Sequence, residues 1–145
     1  MNNNEQELPD DIYREVIRLS SIGDEFDERG LPVEAITSWR QALALLPTPK
    51  RIWDASVWLN ASIGDAFLQV GDWENACRAF REAENSGNGF SNAFVQFGLG
   101  VSFFELGDTF AAKEHLLRAY MLEGYDLFAD ADPKYLSLLI KEKLI

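Results

Sequence analysis

Few side chains capable of bond-making chemistry occur in this chain, and they lie far apart. Its 145 residues include one histidine, His115, and one cysteine, Cys77. A lone imidazole and a lone thiol supply neither the ligand set of a zinc site nor a convincing thiolate–imidazole pair. His115, beside Lys113 and Glu114, is expected as a solvated surface residue. No GxxxxGK[ST], GxGxxG or GxSxG occurs, and Gly98-Leu99-Gly100 falls inside an apolar helical stretch, where it serves packing and not a phosphate. Carboxylates are plentiful in Asp24–Glu28 and Asp126–Asp132, but without calcium-loop spacing they read as solvated charge. The expectation is a non-enzymatic chain with no catalytic residue, no cofactor and no metal.

The charge balance narrows the partners. Thirteen Lys and Arg face 24 Asp and Glu, a formal net charge of −11. Such a surface repels phosphate backbones and anionic head groups, so neither nucleic acid nor membrane is an expected partner. The excess acid serves either solubility alone or attraction of a basic protein surface. A single cysteine excludes an intrachain disulfide. The opening MNNNEQELPDD lacks the basic and apolar regions of a signal peptide, and no apolar run approaches the ~20 residues of a membrane span. A cytoplasmic protein is expected.

The elements that position these residues come from an internal repeat. Residues 16–47, 57–88 and 93–124 align without gaps. The matching columns are Gly23, Gly64, Gly100; Phe26, Phe67, Phe103; Gly30, Gly71, Gly107; Ala35, Ala76, Ala112; and Ala42, Ala83, Ala119. A bulky apolar column, Trp39, Phe80, Leu116, lies between the alanines. With glycine at about 7% of residues, six glycine matches arise by chance with a probability of order 10⁻⁷.

These columns resemble the tetratricopeptide repeat (TPR), over about two-thirds of the chain. The resemblance implies an all-α, right-handed α-solenoid of three helical hairpins, A then B in each, and a C-terminal capping helix. The small columns would let helices approach closely, and the second glycine would end each A helix with a positive φ. The family's Trp near the start of helix A is replaced by Leu19, Asn60 and Gln96, and its closing proline survives only as Pro47. Caps and breakers predict helices over 9–29, 32–46, 51–70, 73–85, 91–106 and 109–123. Asp132-Pro133 opens a cap over 133–144, whose Tyr135, Leu136, Leu138 and Leu139 would cover repeat 3. Residues 1–145 are expected to form one domain.

In the family the A helices line a concave groove that takes a peptide or helix. By register, the partner-facing candidates are Asp24, Asp27 and Glu28 in repeat 1, Trp58, Asp65 and Gln69 in repeat 2, and Phe94, Phe97, Phe104 and Glu105 in repeat 3. The groove is then acidic at one end and aromatic at the other. Phe94, Phe97 and Phe104 are either anchors for a partner or packing for the cap and linkers. A carboxylate clamp for acidic chaperone tails is not expected, because the matching positions carry Ser20, Asp24, Ala61, Asp65, Phe97 and Val101. Small acidic bacterial proteins of this pattern are similar to immunity proteins that neutralise a cognate toxin. The alternative is an adaptor or secretion-type chaperone holding a partner helix or peptide.

Overall fold

The computed structural model describes residues 7–145; the chain's first six residues, part of the stretch read above as lacking an export signal, lie outside them. Among the described residues seven α-helices follow in order: α1 Asp10–Glu28, α2 Pro32–Leu45, α3 Asp54–Gln69, α4 Trp73–Glu84, α5 Ala93–Glu105, α6 Thr109–Glu123 and α7 Pro133–Lys141. Helices α1/α2, α3/α4 and α5/α6 are antiparallel hairpins, each packed on the next, with α7 against α6.

The turn inside each hairpin is the same device used three times. Gly30, Gly71 and Gly107 have φ of 74°, 75° and 86°, and their N–H groups donate to the carbonyls of Asp27, Leu68 and Phe104. The next residue in each case donates to Phe26, Phe67 or Phe103, which closes a Schellman motif. Asp72 and Asp108 then cap the B helix by accepting the N–H of Asn75 and Ala111, whereas repeat 1 places Pro32 at the first helical position.

The first glycine of each repeat sets the spacing within a hairpin. A methyl carbon on Gly23, Gly64 or Gly100 would stand within 3 Å of the Trp39, Phe80 or Leu116 side chain respectively. The Phe80 ring also lies against Gly98, so it is held between glycine backbones of two successive repeats. Three apolar cores result, one at each junction: Val16, Trp39, Leu59 and Ile63; then Val57, Phe80, Val95 and Leu99; then Val101, Leu116, Phe128 and Leu139.

Three boundaries differ from expectation, each because the segment adjoining the helix finds its own hydrogen bonds. Lys50–Ile52 forms a 3₁₀ turn, so α3 begins at Asp54 and not near residue 51. There the Lys50 ammonium donates to the Leu43 and Leu46 carbonyls at the end of α2, and Trp53 Nε1 donates to the Pro47 carbonyl. Gly89–Ser91 is a second such turn, and Asn92 caps α5 through the Val95 N–H. Helix α7 stops at Lys141, three residues short, where Lys143 adopts φ 59° and the Leu144 N–H returns to the Leu139 carbonyl.

Candidate functional site

Helices α1, α3 and α5 carry the ten candidate residues, and the structure divides them into three groups. The first is an apolar ladder. Trp58 and Phe94, with Ile17 at the matching position of repeat 1, are 38%, 42% and 38% exposed, so one half-exposed hydrophobe stands at the second position of each repeat. Phe94 meets Phe80 edge-on, with centroids 5.9 Å apart.

The second group is acidic and joins α1 to α3. The Gln69 amide nitrogen donates to Asp27 at 3.2 Å and to Asp65 at 3.3 Å, which fastens the ends of two A helices. Burial pushes the Asp65 carboxyl above its usual range and the neighbouring Asp27 charge adds to this, while the Gln69 bond opposes both. Asp24 accepts from the indole N–H of buried Trp39 at 3.3 Å. Glu28 is exposed at the end of α1.

The third group is covered by the cap. Phe97 meets Phe128 and Tyr135 edge-on at 5.0 and 6.2 Å, and Phe104 meets Tyr135 at 5.2 Å. Glu105 accepts the Tyr135 hydroxyl at 2.7 Å and pairs with Lys134 at 2.8 Å. Burial alone would raise the Glu105 carboxyl, but these two bonds hold it below the usual range. The Tyr135 phenol is pushed far up by burial and by the same carboxylate. Of the three phenylalanines, Phe94 stays half exposed while Phe97 and Phe104 are half-buried under α7.

His115 corrects the sequence reading: it is buried, only 5% exposed, and not solvated. Its ring stacks on Phe103 at 5.5 Å, and its Nδ1 lies 2.7 Å from the Gln96 side-chain oxygen, which also accepts from Arg118. The Gln96 amide nitrogen donates to Glu84 and to the Phe90 carbonyl, both at 2.9 Å. A polar network thus lies buried between repeats 2 and 3. Among the described residues no group of three or more His, Cys, Asp or Glu could hold a metal, and no helix is long and apolar enough to cross a membrane.

No protein-family model and no curated protein matches the chain. Solved structures do. The second TPR domain of human RPAP3, determined with an HSP70 peptide, superposes with a TM-score of 0.70 at 20% identity over 91% of this chain and 98% of that one. The C-terminal TPR-containing domain of an FK506-binding-type protein from Plasmodium falciparum reaches 0.74 at 18% identity, covering 97% of each. The chain has the tetratricopeptide-repeat fold. MamA is similar at lower TM-score, 0.64, with 18% identity over 90% of this chain and 81% of that one. In TPR terms α1, α3 and α5 are the A helices, so the ladder and the acidic group both belong to A-helix faces.

Proposed function

We propose that this TPR chain is a non-enzymatic module that holds another protein across the α1, α3 and α5 face, acting as one domain in the cytoplasm. One observation carries the reading. Half-exposed Ile17 and Trp58 share α1 and α3 with Asp24, Asp27, Glu28 and Asp65, half-exposed Phe94 continues the row on α5, and Lys134, over the Phe104 ring of α5, is committed to Glu105. Aromatic anchors bordered by like charge suit a partner with apolar side chains next to Lys or Arg. The binding of an HSP70 peptide by the RPAP3 domain is a property of that protein, and it supports a peptide- or helix-holding role for a similar frame.

The most concrete form of the proposal is an immunity protein of bacterial type, whose acidic surface neutralises a toxin domain with a basic contact surface. That role requires a rigid charged face and fast association. An adaptor or secretion-type chaperone is the second reading, favoured by the spacing of the ladder along successive repeats. Co-expression with a toxin encoded beside the gene separates them: rescue of growth supports the first, and tight binding of an isolated peptide alone supports the second. In either case Asp65→Lys should weaken the true partner about tenfold or more, and Glu142→Lys far less. Equal losses would remove the A-helix face from the proposal.

A further inference from the structure

The A helices do not begin in register. Helix α1 starts at Asp10, well before its first repeat residue Val16; α3 starts at Asp54, shortly before Val57; α5 starts at Ala93 itself. Between the overhanging ends of α1 and α3 lies an open cleft of about 920 Å³. Its walls include Tyr13, Ile52 and Trp58, which are 54%, 44% and 38% exposed, and the carboxylates of Glu7, Asp10 and Asp54. Among the described residues no Lys or Arg lines it. Lys50 is committed to carbonyls of α2 and Arg51 to Glu82 at 2.9 Å, while Arg14, itself outside the lining, directs its Nε to the backbone carbonyl of Asp10 at 3.3 Å and not to a carboxylate of the cleft.

Exposed aromatic rings beside carboxylates, with no Lys or Arg among the described lining residues, match the chemistry of a guanidinium. Its flat face stacks on Tyr or Trp, and its edge donates paired hydrogen bonds to a carboxylate. A lysine ammonium would use the charge but not the planar fork. We propose that this cleft is an arginine pocket at the edge of the A-helix face, seating an arginine of the partner segment. Trp58 belongs to both the cleft and the apolar ladder, so the arginine would lie beside the partner's apolar anchors. The pocket deepens the partner reading above and rests on it for its biological use, while its chemistry can be tested without any partner.

The test titrates the full chain with Nα-acetyl-arginine amide and with its neutral isostere, Nα-acetyl-citrulline amide, and follows ¹H–¹⁵N correlation spectra. The arginine probe should give saturable shifts at the Trp58 indole N–H and the Tyr13 and Asp54 amides. Citrulline should bind about tenfold more weakly. Asp54→Asn and Trp58→Leu should each weaken the arginine probe about threefold or more with unchanged circular dichroism, whereas Asp65→Asn should leave it unaltered. Equal response to citrulline, no saturation, or shifts confined to other residues would overturn the proposal. Movement of the same resonances with protein concentration alone would assign the cleft to a second copy. Nuclear Overhauser contacts from residues 1–6 to Tyr13 and Trp58 would assign it to the chain's own start. Either result also overturns it. If the arginine probe binds but Asp65→Lys leaves partner affinity intact, the pocket stands and the A-helix-face reading falls.

Discussion

Protonating His115 would put a cation into a site closed by Phe103, Gln96 and Leu116's own helix, with Arg81 and Arg118 close by. Burial lowers the pKa of the imidazole, the two arginines act the same way, and Glu84 and Glu114 oppose them. The unfolded chain takes up this proton near pH 6.5, and the folded chain only at lower pH. Between those values the unfolded state binds more protons. Stability present above about pH 6.5 is therefore lost as pH falls through the folded value. The urea midpoint should drop between pH 7 and 5, and His115→Gln should flatten that part of the profile. Asp65 has the opposite sign. Its raised carboxyl pKa opposes folding at neutral pH and is relieved by acid, so Asp65→Asn should raise the midpoint at pH 7. At Gly64 the constraint is steric: Gly64→Ala should cost about 1–3 kcal/mol in urea unfolding, because Phe80 is blocked on its far side by Gly98. The glycine columns were readable because a close approach admits one residue type. His115 was misread from its polar neighbours Lys113 and Glu114. The signal was in the register, since Ala112, His115, Leu116 and Ala119 share the buried stripe of α6.

At the scale of elements, the hairpin turns were the most legible part of the chain. Glycine followed by aspartate, as in Gly71-Asp72 and Gly107-Asp108, both stops one helix and caps the next. Linkers were less legible, since the carbonyls that Lys50 and Trp53 satisfy are known only once α2 and α3 are docked. The same holds for Phe97 and Phe104, whose composition suits an anchor or a core and whose surroundings depend on how α7 returns. That helix closes the third core through Tyr135 and Leu139, which are 8% and 0% exposed. Leu139→Ala should destabilise the protein by about 2–5 kcal/mol in chemical denaturation, with helical content otherwise preserved before the transition. A loss much below 1 kcal/mol would show that α7 is dispensable to that core.

For the molecule as a whole, the net charge of −11 bears on how a partner arrives. Association with a basic surface should slow steeply with added salt, while dissociation changes little. Stopped-flow rates measured across salt concentrations check this, and Asp24→Asn with Asp65→Asn should make the dependence shallower. The solenoid was legible because repetition exposes the columns that helices require of one another. The partner was not, because outward side chains answer to something outside the chain. The layering of the three cores also has a dynamic consequence. Helices α3 and α5 each contribute to two cores, whereas α1 and α7 contribute to one. Amide exchange should then be slowest along the middle of the stack and fastest at its two outer flaps. A bound protein reaching from one flap to the other would restrain motions that no internal contact restrains twice, and its grip should register first as slowed exchange at the extremities.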